Sequence, residues 1–166
     1  MSRRIGIVEA AADHRAAIEA LSRLVESQDP ALWAKAPAPG KWSPAEIAQH
    51  LLLSYEVVEA ELAGGPGFRI VLPWWKRLPL RWAVLPKILA GRFPKGAPAP
   101  RESRPRTGAA SPAEAARILR AHATRLEEHL ADAGAIGRVR VAHPYFGRVT
   151  VPQMLKLAAV HAAHHG

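Results

Sequence analysis

WSPAEIAQHLLLSYE, residues 42–56, follows its first tryptophan with a serine, a proline and a glutamate three positions after the serine, then runs into leucines. This is the signature of a helix start. The serine hydroxyl and the glutamate carboxylate satisfy each other's orphan backbone amides, and the proline stands where no amide hydrogen is needed. The same grammar recurs at Ser111-Pro112-Ala113-Glu114 and Thr150-Val151-Pro152-Gln153. Apolar residues then follow at helical spacing in all three places: Ile47, His50, Leu51, Ser54 and Val58; Ala115, Ile118, Leu119, His122 and Leu126; Val151, Met154, Leu155, Ala158, His161, Ala162 and His165.

A fourth helix is expected near residues 8–28, from Ile18, Leu21 and Val25 among alanines, ending before Asp29-Pro30. The short β-branched runs Phe68 to Leu72 and Arg138 to Ala142 have no partner across a hairpin turn, so loop or a short ribbon is expected there. Four helices without a sheet predict an all-α four-helix bundle. About fifteen residues join the first pair and about fifteen the last, but more than about forty lie between helices two and three. A connection of that length permits a crossover, giving up-down-down-up topology in a single domain over 1–166, with residues 64–110 as the crossover insert.

In that topology the N-terminal end of helix two lies beside the C-terminal end of helix four. His50 then approaches His161 and His165. The last two share a face, about 40° apart and one turn removed, whereas His164 falls at the rim. Three imidazoles turned into an apolar core are costly unless something uses their nitrogens, and a divalent metal does so while keeping a coordination position open. The competing reading is three unrelated core histidines. His122 and His129 sit among Arg117, Arg120, Arg125, Glu127 and Glu128 and are expected at a flank or on the surface.

The chain has 166 residues and no cysteine, which excludes disulfides, thiolate ligands and a nucleophilic Cys. Glu9 and Asp13 interrupt any leader-like apolar run, so a soluble, cytoplasmic protein is expected. The formal net charge of +9 is concentrated: Gly64 to Arg106 holds ten Lys or Arg and one acid, Glu102, and the remainder balances. Within that stretch Trp74, Trp75 and Trp82 interleave with Lys76, Arg77, Arg81 and Lys87, while its prolines limit helices to short pieces near 74–78 and 80–91. Two readings stand. The favoured one is a crossover that packs Ile70, Leu72, Trp74 and Leu85 on the bundle and lids the site; the other is a surface for anionic membrane or nucleic-acid phosphates, nucleic acid being the less favoured.

GKWSPAEIAQHLLLSYE (40–56) resembles the helix-two signature of DinB-like four-helix bundles, W-S-x-x-E-I-x-x-H-L, which ends on a metal-binding histidine. HPYFGRVTVPQMLKLAAVHAAHHG (143–166) is similar to the family's second signature, H-P-x-F-G-x-[LV]-T and a helix ending H-x-x-H-H. The resemblance implies a metal triad at His50, His161 and His165, binding Zn, Ni, Mn or Fe. It further implies a metal-dependent hydrolase or thiol-dependent S-transferase acting on a small molecule. Family members usually continue toward a Gln, as in H-H-x-x-Q, so a chain cut short after Gly166 is expected.

Glu46, one turn before His50, is the weak candidate for a catalytic base, its capping role being the simpler account. Ser54, one turn after His50, faces the core. His143 is expected at the end of the bundle away from the metal, with Pro144, Phe146 and Gly147 shaping a turn. The rival to the enzyme is a non-catalytic bundle that meets a membrane surface or protein partner through the insert. A second copy of the chain is a further expected partner.

Overall fold

The computed structural model describes residues 6–94, 96, 98–106, 111–132 and 139–166, the side chains of 130–132 excepted. Lys95, residues 107–110 of the insert and Arg138 of the anticipated 138–142 run lie outside them.

The protein is predominantly helical. Helix α1 spans Ile7–Glu26 and is followed by a one-turn helix α2, Pro30–Trp33, whose start Asp29 caps by accepting from the Ala31 amide at 2.8 Å. Helix α3, Pro44–Leu62, and helix α7, Val151–His165, both begin in complete capping boxes, Ser43 with Glu46 and Thr150 with Gln153. At the start of α6, Pro112–Asp132, the Ser111 hydroxyl accepts from the Glu114 amide, while both carboxylate oxygens of Glu114 accept from Arg117. The insert forms α4, Trp74–Pro79, a π-type turn at Leu80–Val84 and α5, Leu85–Leu89, close to the two expected pieces. The widened turn sits between Pro79 and Pro86, whose missing amide hydrogens break the regular ladder.

Of the two readings of the second β-branched run, the short ribbon is the one observed, with a hairpin partner that was not expected. A two-stranded antiparallel sheet is present, β1 at Arg140–His143 and β2 at Gly147–Thr150, with Val141 opposite Val149. Residues 144–146 close the hairpin, and Gly147 holds φ at +71°, a left-handed conformation that favours glycine. The hairpin was hard to see because its partner strand, GRVT, reads as the approach to a helix cap. No strand forms at residues 68–72.

Core contacts fix how the long helices lie against one another. Arg120 reaches Glu19 at 2.9 Å and Glu26 at 2.6 Å, and Glu127 meets His14, so α1 and α6 run in opposite directions. Lys156 pairs with Asp13, and Gly166 lies near Leu21 and Leu24, so α1 and α7 run together. Tyr55 faces His122, and Val58 and Leu62 meet Leu126, Val151 and Leu155. Ile18 and Leu21 of α1, Leu51 and Val58 of α3, Leu119 and Leu126 of α6 and Leu155 of α7 form the buried core, with Val141, Phe146 and Val149 of the hairpin and Leu85 and Ile88 of the insert added to it. No helix among the described residues is long and apolar enough to cross a membrane.

Candidate metal centre

His50 lies two turns into α3 because the Ser43 cap fixes where that helix begins. His161 and His165 lie one turn apart near the end of α7. The structure brings these three together and no other group of three His, Asp or Glu among the described residues: their ligand nitrogens all fall within 4.8 Å of one another. His161 Nε2 stands 3.1 Å from His50 Nε2 and 3.1 Å from His165 Nε2.

Hydrogen-bond chemistry makes this arrangement informative. His50 Nδ1 is 2.6 Å from the carbonyl oxygen of Ser103, which can only accept, so Nδ1 carries the proton and Nε2 presents a bare lone pair toward His161. His161 Nε2 can donate to His50 or accept from His165, but a single nitrogen cannot do both. With neutral imidazoles the single Nε2–H of His161 is at best shared between its two neighbours, and every other tautomer sets lone pair against lone pair or N–H against N–H in one contact. A cation placed among the three nitrogens resolves both. Neighbouring nitrogens on one ion, each about 2.1 Å from it, would stand about 3.0 to 3.4 Å apart, a range that includes both contacts of His161.

The surroundings favour uncharged imidazole. Burial lowers the His50 pKa against the opposing hydrogen bond to Ser103. Burial, then the neighbouring histidines, holds His161 far below its ordinary value. His165 is lowered to about 4, first by burial and then by His50 and His164. Neutral nitrogens are what a metal requires.

The walls are aromatic. Trp42 lies against His50 with ring centres 5.1 Å apart, and Phe93 stacks on His161 at 5.5 Å and on His164 at 4.6 Å. Both Phe93 and the Ser103 carbonyl come from the insert, which thus caps the cluster, as expected of a lid. His164 is exposed at the rim, also as expected. Sequence reasoning missed both insert contacts: a backbone carbonyl carries no residue signature, and Phe93 sits among prolines and glycines with no periodicity to orient it.

Other expected residues fall as follows. Glu46 Oε2 accepts from the Ser43 amide at 2.7 Å and its hydroxyl at 3.0 Å, committing that oxygen to the cap. Ser54 donates to the His50 carbonyl at 2.8 Å. His143 lies at the end of β1, beside the turn of the hairpin. Its Nδ1 accepts from the Tyr145 and Phe146 amides, its ring stacks on Phe146 at 4.6 Å, and burial lowers its pKa to about 4.

His122 is a correction. It is buried rather than flanking, with Nδ1 2.8 Å from both Glu59 Oε1 and Arg125 Nη2 and its ring stacked on Tyr55. The Tyr55 hydroxyl lies 2.5 Å from Nε2 of His14, which is fully buried, and His14 Nδ1 faces Glu127 Oε1 at 3.4 Å. Extending the Ile18–Leu21–Val25 stripe back one turn would have found His14. His129 is exposed, as anticipated, and lines a cavity of about 490 Å³ with Glu61, Gly65, Val139, Arg140 and Arg148. That cavity lies at the other end of α3 and includes none of the three converging histidines.

Compared with known protein families, residues 13–166 match the DinB superfamily. Neither the curated proteins nor the solved structures compared with the chain gave a match. The family match takes in both motif segments and all three converging histidines, and this chain is accordingly a member of the DinB superfamily.

Proposed function

We propose that the chain is a metalloprotein of one helical domain, in which His50, His161 and His165 hold a single divalent ion, Zn, Ni, Mn or Fe. The carrying observation is the pair of 3.1 Å nitrogen contacts around His161, taken with the Ser103 carbonyl that fixes the proton of His50 on its far nitrogen. The directions of the helix contacts support an up-down-down-up bundle with residues 64–110 crossing between α3 and α6.

The reaction class that suits this donor set is a metal-dependent hydrolysis or a thiol-dependent S-transfer on a small molecule. A divalent ion bound by three neutral imidazoles supplies Lewis acidity to a water or thiol at its open position. The chain contributes the rest: the Ser103 carbonyl holds the His50 ring in one tautomer and orientation, and Trp42 and Phe93 shield the ligands from bulk water. Glu46, the weak candidate for a base, has one oxygen engaged in the cap.

Metal analysis of the purified chain beside His50→Ala and His161→Ala tests the reading. One equivalent of metal in the parent and none in either variant is expected. Equal metal in all three would end it.

A further inference from the structure

The insert presents a second face that the metal site does not use. Trp74, Leu78 and Trp82 recur every four residues along the helical path from Trp74 to Leu89, with Trp75 and Val71 beside them. All point outward. Trp74 is 67% exposed, Trp75 56%, Leu78 46% and Trp82 82%. The expectation that Trp74 anchors the insert to the bundle is thus wrong. Leu85 and Ile88 do so, with Leu80, Val84, Leu89 and Phe93 packed against the same core, and Arg81 donates to the Phe146 and Arg148 carbonyls at 2.7 and 2.9 Å.

The inner face therefore holds the insert in place without help from the tryptophans. Three exposed indoles on one face exceed the scattered apolar residues that a water-facing surface ordinarily carries. The exposed charged side chains of the same stretch are cationic: Arg69, Lys76, Lys87 and Arg92. Lys76 Nζ lies 5.0 Å from the Trp75 ring centre. The stretch 64–106 carries ten cationic residues against one acid, so its natural complement is anionic.

We infer that this face is an interfacial helix that docks the protein on an anionic lipid surface. Indole suits the boundary between headgroups and acyl chains, having an apolar body and a polar N–H, and lysines beside it meet lipid phosphates. Trp74 to Leu89 is about 24 Å long at helical rise, too short and too charged to span a bilayer of about 30 Å, so it lies in the plane of the surface. Docking leaves the core unchanged, since no tryptophan of this face belongs to it.

Co-sedimentation with vesicles of phosphatidylcholine containing phosphatidylglycerol, against phosphatidylcholine alone, tests the inference on the full chain. The chain should pellet with the anionic vesicles at low ionic strength, and brominated acyl chains should quench its tryptophan emission. Binding should vanish in Trp74→Ser/Trp82→Ser, while Lys76→Gln/Lys87→Gln should weaken it about thirty-fold, at roughly 1 kcal/mol per cation near such a surface. Both pairs are exposed, and unchanged far-ultraviolet dichroism confirms the fold of each variant. Three outcomes overturn the inference: no binding to anionic vesicles, binding that survives the tryptophan substitutions, or protection of these indoles by self-association or by nucleic acid without vesicle binding.

Discussion

Two groups of histidines lie among the long helices, one between α1, α3 and α6 and the other between α3 and α7, and they meet the problem of desolvated nitrogen in different ways. In the middle of the core, His14 and His122 face side chains of other kinds: the Tyr55 hydroxyl on Nε2 of His14, the Glu127 and Glu59 carboxylates on the two Nδ1 atoms, and Arg125 joining His122 to Glu59. Between α3 and the end of α7, His50, His161 and His165 face one another. Among the described residues no carboxylate bonds to any of the three, and their one outside partner is the Ser103 carbonyl. A histidine in an apolar stripe is thus a poor sign of a ligand until its partners are known, since His14 and His122 occupy stripes equally well.

Acid should disturb both groups and show the largest effect. The folded pKa values of His14, His50, His161, His165 and His143 all lie below that of free imidazole, so the unfolded chain binds more protons below about pH 6.5. Stability of the metal-free protein should therefore fall as the pH is lowered from about 6.5 toward 4, by about 3 kcal/mol from His143 alone, whose pKa is lowered to about 4. Urea unfolding at stepped pH measures it. Bound metal should move the onset of this loss to lower pH, because protons must first displace it from the cluster. Identical curves with and without metal would erase the distinction between the groups.

Metal at neutral pH gives the next effect. At a hundredfold excess over the dissociation constant, a ligand of the native state alone adds about 2.7 kcal/mol. A rise in melting temperature of that origin is expected for the parent and for Tyr55→Phe, and none for His161→Ala. Tyr55→Phe itself should cost about 1–3 kcal/mol, because it leaves Nε2 of the fully buried His14 without its partner, and metal content should stay at one equivalent. Loss of metal in that variant would mean that the two groups act as one. Phe93→Ala is the mildest change. Removing the ring from His161 and His164 should weaken metal binding by less than about tenfold and cost about 1 kcal/mol, with no change in the His14 network.

The helices were legible because their starts are written locally. Ser43, Ser111 and Thr150 each name a first turn, and the stripes behind them place His50, His161 and His165 inward. What could not be read depends on contacts between distant segments. Burial of His122 follows from the approach of Glu59 and Tyr55 on α3, which no feature of α6 announces, and its charged neighbours in sequence suggested the opposite. The β1–β2 pairing was hidden for the same reason. In the insert, composition suggested anchoring tryptophans, whereas the aliphatic Leu85 and Ile88 took the core and left the indoles outside.

The bond from His50 to the carbonyl of Ser103 joins residues 53 positions apart, with the whole helical part of the insert between them. The insert is therefore no detachable cassette. A helical scaffold that kept all three histidines but shortened this connection would still fold its long helices, yet His50 would be free to rotate and to exchange tautomers. The number of ligands would be preserved and their preorganisation lost. For anyone transplanting this triad into another helical framework, the residue to carry along with the histidines is one whose side chain does not matter at all.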